Sequence, residues 1–145
     1  MTGLVHIYHG TGKGKTTAAL GLAIRALGRN KKILFVQFMK AWDSGELHIL
    51  DKLDGINVMR GKPSAKFSFQ MTESEKKACS IANNELLAEV ESIIQTDKVD
   101  LLILDELIGT YHNELIDREQ VVRFIKNKPD NLELVTRGQN TRRSY

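Results

Sequence analysis

Residues 9–17, His9-Gly10-Thr11-Gly12-Lys13-Gly14-Lys15-Thr16-Thr17, constrain the fold of this chain more than any other stretch. Glycines at 10, 12 and 14 let the backbone curl so that successive amides point to one centre, where side chains would hold a ligand away. Leu4-Val5-His6-Ile7-Tyr8 before the loop is a short β-prone run, and Thr16 to Leu27 after it carries Ala, Leu and Ile at helical spacing. Strand, glycine-rich turn and helix in that order form the frame in which backbone amides and a helix N-terminus hold a polyphosphate. Lys15 then sets its ammonium against phosphate oxygens, and the Thr16 hydroxyl binds Mg2+. Gly10, Thr11, Gly12, Lys13, Gly14, Lys15, Thr16 and Thr17 are therefore the candidate ATP contacts. One position departs from the usual pattern G-x-x-x-x-G-K-[ST], whose first glycine falls on His9. A glycine-rich turn with a chance lysine is the competing reading, and the flanking strand and helix weigh against it.

The rest of the chain continues the alternation. Ile33-Leu34-Phe35-Val36-Gln37-Phe38 reads as a second strand, its continuous apolar run suited to a sheet covered on both faces. Gly28 and Asn30 close the helix before it. Residues 46–53 look helical, Ile56 to Met59 extended, and Gly61 to Met71 a loop with no helical period. Thr72-Glu73-Ser74-Glu75 has the capping-box form, and Ala78, Ile81, Ala82, Leu86, Val90, Ile93 and Ile94 then repeat at three and four residues to about Gln95. Val99 to Leu104 is another buried strand, Asp117 caps a helix through Lys126, and Leu132 to Val135 is a last strand. The expected fold is three-layer α/β with a mainly parallel sheet, a P-loop NTPase of the RecA-like kind. Residues 1–135 make one nucleotide-binding domain and residues 136–145 a basic, disordered tail.

The net charge of +3 does not point to nucleic acid, because Arg137, Arg142 and Arg143 supply all of it and residues 1–135 carry equal numbers of basic and acidic side chains. No apolar run approaches the roughly 20 residues that span a bilayer, and no cationic, apolar leader opens the chain, which predicts a cytoplasmic protein without a membrane partner. Cys79 has no Cys or His at zinc spacing and reads as a half-buried helix residue. His6, His9, His48 and His112 show no metal-ligand spacing either.

Leu101-Leu102-Ile103-Leu104-Asp105-Glu106 has the Walker B form, with apolar residues that bury a strand and carboxylates at its C-terminal end. Ligands bind at that edge of a parallel α/β sheet. Asp105 or Glu106 there can hold Mg2+ directly or through water, balancing a metal that also bridges phosphates. Two acids merely ending a strand are the alternative.

With these pieces placed, the sequence resembles the P-loop ATP:corrinoid adenosyltransferases, also called cob(I)alamin adenosyltransferases. The loop Gly10 to Ala19 is similar to the family's own variant, which lacks the first Walker glycine and carries a second lysine, here Lys13. Val36-Gln37-Phe38-Met39-Lys40 resembles the family's V-Q-F-x-K strand, and Leu104-Asp105-Glu106-Leu107 its L-D-E-L. The resemblance implies transfer of the 5′-deoxyadenosyl group of ATP to the cobalt(I) of a corrinoid with release of triphosphate. It implies Lys15 and Glu106 as catalytic residues, Thr16, Glu106 and Asp105 around Mg2+, and Phe67 and Phe69 as an aromatic pair that shields the cobalt face. A flavin-type reductant protein and a homodimer belong to the same expectation. Lys40 and Trp42 follow the second strand at the ligand edge without an assigned role, and Ala41 stands where the family often has glycine.

Past Val135 the resemblance loosens. The family continues with T-G-R and further elements, whereas this chain has Thr136-Arg137-Gly138 and then Gln139 to Tyr145. Leu132 to Val135 is accordingly expected near an open sheet edge or an uncovered face. Two other functions compete with adenosyl transfer: a kinase or ATPase that cleaves the terminal phosphate, and a catalytically impaired ATP-binding remnant.

Overall fold

The computed structural model describes residues 3–9, 14–38, 45–61 and 70–138. Five strands form one sheet: β1 (Val5–His9), β2 (Ile33–Gln37), β3 (Ile56–Arg60), β4 (Leu101–Asp105) and β5 (Glu133–Gly138). Their spatial order is β1-β5-β4-β2-β3, and every pairing is parallel. The helices are α1 (Gly14–Leu27), α2 (Gly45–Leu50), α3 (Glu73–Thr96), α4 (Leu107–His112) and α5 (Arg118–Lys126).

Parallel strands need crossover connections, and these crossovers place helices on both sheet faces. Side chains alternate across each strand, so the two faces separate by parity. Leu34, Val36, Leu102, Leu104 and Leu134 join Leu86, Leu87 and Val90 of α3 and Val121 and Phe124 of α5 in one core. Ile33, Phe35, Leu101, Ile103 and Val135 join Ala19 and Ala23 of α1 and Leu50 of α2 in the other. Small alanines on α1 let that helix approach its face closely. This is the expected three-layer α/β fold, and the sheet is parallel throughout.

Local signals hold where they were strongest. Thr72 accepts a hydrogen bond from Glu75 N at 3.2 Å while Glu75 Oε1 accepts from Thr72 N at 3.4 Å, so the capping box opens α3. Asp117 Oδ1 accepts from Glu119 N and Gln120 N and starts α5. Asn30 closes the turn after α1 with a φ of 60°, and Gly55 before β3 has a φ of 92°, a conformation that favours glycine.

Two expectations about the end of the chain are corrected. Strand β5 runs to Gly138 rather than stopping at Val135, and Thr136 and Arg137 are buried at 3% and 6% exposure. They are strand, not tail, because they pair with β1 on one side and β4 on the other. Leu132 to Val135 consequently lies in the sheet interior. The open edge among the described strands on that side is β1, where Leu4, Val5 and Ile7 are exposed. Residues 139–145, the remainder of the expected tail, lie outside the described residues.

Candidate functional site

The strands end together at one edge of the sheet, and polar residues stand at or next to their last positions. Across β5, β4 and β2, Arg137, Asp105 and Gln37 are register partners, so they form one row. Their parity is that of Ile33, Phe35, Leu101, Ile103 and Val135, hence they face the side covered by α1. Helix α1 starts at Gly14, directly after the glycine loop. The sheet thus brings the acidic end of β4 to the face on which the phosphate-loop helix lies. One strand, β5, separates β4 from β1.

Within the row, Gln37 Nε2 donates to Asp105 Oδ2 at 2.8 Å, and Arg137 Nη1 lies 3.2 Å from Asp105 Oδ1. The same Nη1 donates to Glu106 Oε1 at 2.8 Å. Asp105 is 1% exposed, the Arg137 side chain 7% and Glu106 31%. A carboxylate as dry as Asp105 is sustained by a hydrogen bond and a cation, and Gln37 and Arg137 supply one each. Glu106 is different: it stands at the solvent side with a φ of 66°. A non-glycine residue in the left-handed region costs roughly 1–2 kcal/mol, and such residues concentrate at functional sites.

Helix α4, which follows Glu106, holds that turn. The Glu106 carbonyl accepts from Thr110 N at 3.1 Å and from Thr110 Oγ1 at 2.7 Å. Arg118 at the start of α5 donates from Nε to Tyr111 O at 3.0 Å and stacks over the Tyr111 ring at 5.0 Å. Asn83 of α3, 3% exposed, donates to Leu115 O at 2.8 Å. Glu106 therefore rests on a short helix fixed to both of its longer neighbours. Sequence reading passed over α4, since six residues are too few to show a period.

The candidate residues divide accordingly. Asp105 and Glu106 lie side by side at the expected edge, and Gly14, Lys15, Thr16 and Thr17 belong to the first turn of α1. Gly10, Thr11, Gly12 and Lys13 lie outside the described residues, as do Phe67 and Phe69, Lys40 and Trp42. Arg137 is the residue that sequence reading missed, having placed it in a tail. The available signal was that β2, β4 and β5 each end an apolar run on a polar residue of one parity.

The donor chemistry suits a hard divalent cation. Asp105 Oδ1 is buried and accepts no hydrogen bond, its contact being the Arg137 cation, and Glu106 offers a second carboxylate beside it. Two carboxylates with phosphate oxygens and water are a magnesium set rather than an all-protein cage. Among the described residues no group of three or more His, Cys, Asp or Glu side chains gathers to hold a metal. His6 is engaged with Glu133 at 2.8 Å. Burial pushes the Cys79 thiol up from its ordinary range, against a weaker lowering by Asn83, which makes it a poor nucleophile. No helix among the described residues is long and apolar enough to cross a membrane.

Comparison with known proteins bears on the family. The chain is 30% identical over 142 residues to the corrinoid adenosyltransferase of Escherichia coli strain K12, covering 97% of this chain and 70% of that protein. It is 28% identical over 142 residues to the corrinoid adenosyltransferase CobA of Salmonella typhimurium, with the same coverage. Among solved structures, EssC (ATPases 2 and 3) from Geobacillus thermodenitrificans superposes with a TM-score of 0.52 at 13% identity. That match spans 96% of this chain and 28% of the EssC chain, and it bears on the fold, which is P-loop NTPase-like. The profile of the family described as ATP:corrinoid adenosyltransferase BtuR/CobO/CobP matches residues 1–145. A match of that length places this chain in the ATP:corrinoid adenosyltransferase family of enzymes.

Proposed function

We propose that this chain transfers the 5′-deoxyadenosyl group of ATP to the cobalt(I) of a corrinoid and releases triphosphate, within one P-loop nucleotide-binding domain that extends to Gly138. The observation that carries the reading is the placement of Asp105, with Glu106 next to it, at the C-terminal end of β4, Asp105 on the sheet face that α1 covers. The electron pair of cobalt(I) forms the bond to C5′ of the ribose. The C5′–O bond breaks, and its pair leaves on the triphosphate. Charge therefore grows on the phosphate chain, and Lys15 with the amides of Gly10 to Thr17 is set to neutralise it there. Thr16 and Glu106, with Asp105 as a further carboxylate, would hold Mg2+, which when bound adds Lewis-acid stabilisation to the departing phosphates. No water is required as nucleophile, so Glu106 acts toward the metal and not as a base.

Phe67 and Phe69 complete the reading on the corrinoid side, covering the cobalt face and displacing an axial ligand. A d⁸ cobalt(I) prefers no axial donor, so apolar cover eases reduction from cobalt(II). A flavin-type reductant protein supplies that electron, a homodimer is the assembly, and the cytoplasm is the compartment. Incubation with ATP, Mg2+ and chemically reduced cobalamin tests the proposal: adenosylcobalamin and triphosphate are expected in equal amounts. ADP and phosphate without a cobalt–carbon bond would replace it with terminal-phosphate cleavage.

A further inference from the structure

We infer that Arg137 is a built-in competitor for the divalent cation: it bridges Asp105 and Glu106, and a metal ion binding between these carboxylates requires it to give up Glu106 Oε1. The inference rests on the reading of Glu106 as a metal contact. One atom, Nη1, lies 3.2 Å from Asp105 Oδ1 and 2.8 Å from Glu106 Oε1, so a single cationic centre spans both carboxylates as a bound ion would. A divalent cation at the same place would meet the guanidinium at contact range, and the two cannot both occupy that side of Glu106 Oε1.

The two halves of the bridge differ in what they cost to open. Asp105 is 1% exposed and held from its other oxygen by Gln37, so parting it from Arg137 strands a dry charge. Glu106 is 31% exposed and stands on a left-handed turn, so water or metal replaces Arg137 there at lower cost. The Asp105–Arg137 pair is the fixed half and the Glu106–Arg137 pair the exchangeable half. Arg137 is thus a positioning residue that holds Glu106 and opposes metal binding there.

The test uses Mn2+ alone as the probe, titrated into the nucleotide-free full chain and followed by loss of the free-ion EPR signal. Arg137→Gln should bind Mn2+ about five- to ten-fold more tightly than the wild type, the range expected for releasing one partly exposed charged pair. Because Gln at 137 leaves Asp105 without its cation, Arg137→Lys is the second variant. It keeps a positive charge beside Asp105 but loses the planar fork, and its Mn2+ affinity should rise at least about two-fold. Adding Glu106→Gln to either variant should cancel the gain. Unchanged or weakened Mn2+ binding in Arg137→Lys, or a gain that survives Glu106→Gln, overturns the inference, since an arginine of purely structural use would not restrain the metal. Metal-free ATP binding by the wild type is measured separately, so that failure of the nucleotide reading and failure of the Arg137 inference are told apart.

Discussion

Asp105 and Glu106 are adjacent carboxylates with opposite expected responses to the same loss of charge. Asp105→Asn keeps the side chain's shape but removes the negative charge that faces Arg137 at 3.2 Å and accepts from Gln37 at 2.8 Å. Breaking a buried pair by neutralising one partner costs about 3–5 kcal/mol. Arg137 retains Glu106 at 2.8 Å, which lowers the expected loss to about 2–4 kcal/mol. Glu106→Gln removes a charge that is 31% exposed and retains a side chain able to accept from Arg137, so its cost should stay under about 1 kcal/mol.

Urea unfolding followed by circular dichroism separates them. With a slope of about 2 kcal/mol per molar for a small domain, Asp105→Asn should move the midpoint down by about 1–2 M and Glu106→Gln by less than about 0.5 M. Function should divide the other way: Glu106→Gln raises the Mg2+ concentration needed for half-maximal adenosyl transfer. Equal midpoints for the two variants, or a larger drop for Glu106→Gln, would refute the division of labour drawn from burial.

Three further outcomes are expected. Lys15→Ala should abolish ATP binding while circular dichroism stays that of the wild type, because it removes the phosphate-facing cation; retained affinity would remove the phosphate-site assignment. Phe67→Ala and Phe69→Ala should impair adenosylation most when cobalt(II) must be reduced on the enzyme and little when cobalt(I) is supplied. Equal loss under both conditions would assign the pair to loop anchoring. Thr72→Ala breaks the capping box of α3 and should lower stability by about 1 kcal/mol, read as a urea midpoint shift with no change in ATP affinity.

Most of the scaffold was legible because its signals are local and periodic. The apolar run of β2 is buried at all five positions, the cap at Thr72 starts α3, and Asp117 starts α5. The candidate carboxylates were legible for the same reason, lying at the end of the apolar run Leu101 to Leu104. What escaped was set by tertiary contact. Helix α4 is held by Thr110 and Arg118, and the turn after it by Asn83, which bonds Leu115; residues 107–112 alone do not announce a helix. Arg137 escaped because its identity suggests solvent, while its position between β1 and β4 buries it. Sequence composition assigned it to a basic tail; only the pairing partners of β5 show that the residue opposite it is Asp105.

That pairing gives a physical meaning to the order Thr136-Arg137-Gly138, which at first reading looks like a scrambled T-G-R. Strand residues alternate faces, so position 137 shares the α1 face with Asp105 and Gln37, whereas position 138 points to the other side of the sheet. In the same register, a T-G-R order would set glycine opposite Asp105 and send the arginine away from it. Asp105 would then keep Gln37 but lack its cation, a costly state for a carboxylate at 1% exposure. Exchanging two neighbouring residues therefore decides more than a local motif: it decides which sheet face carries the positive charge. In this chain the charge falls on the face where the nucleotide is expected, and that is why Arg137 can balance Asp105 permanently and Glu106 only until a stronger cation arrives.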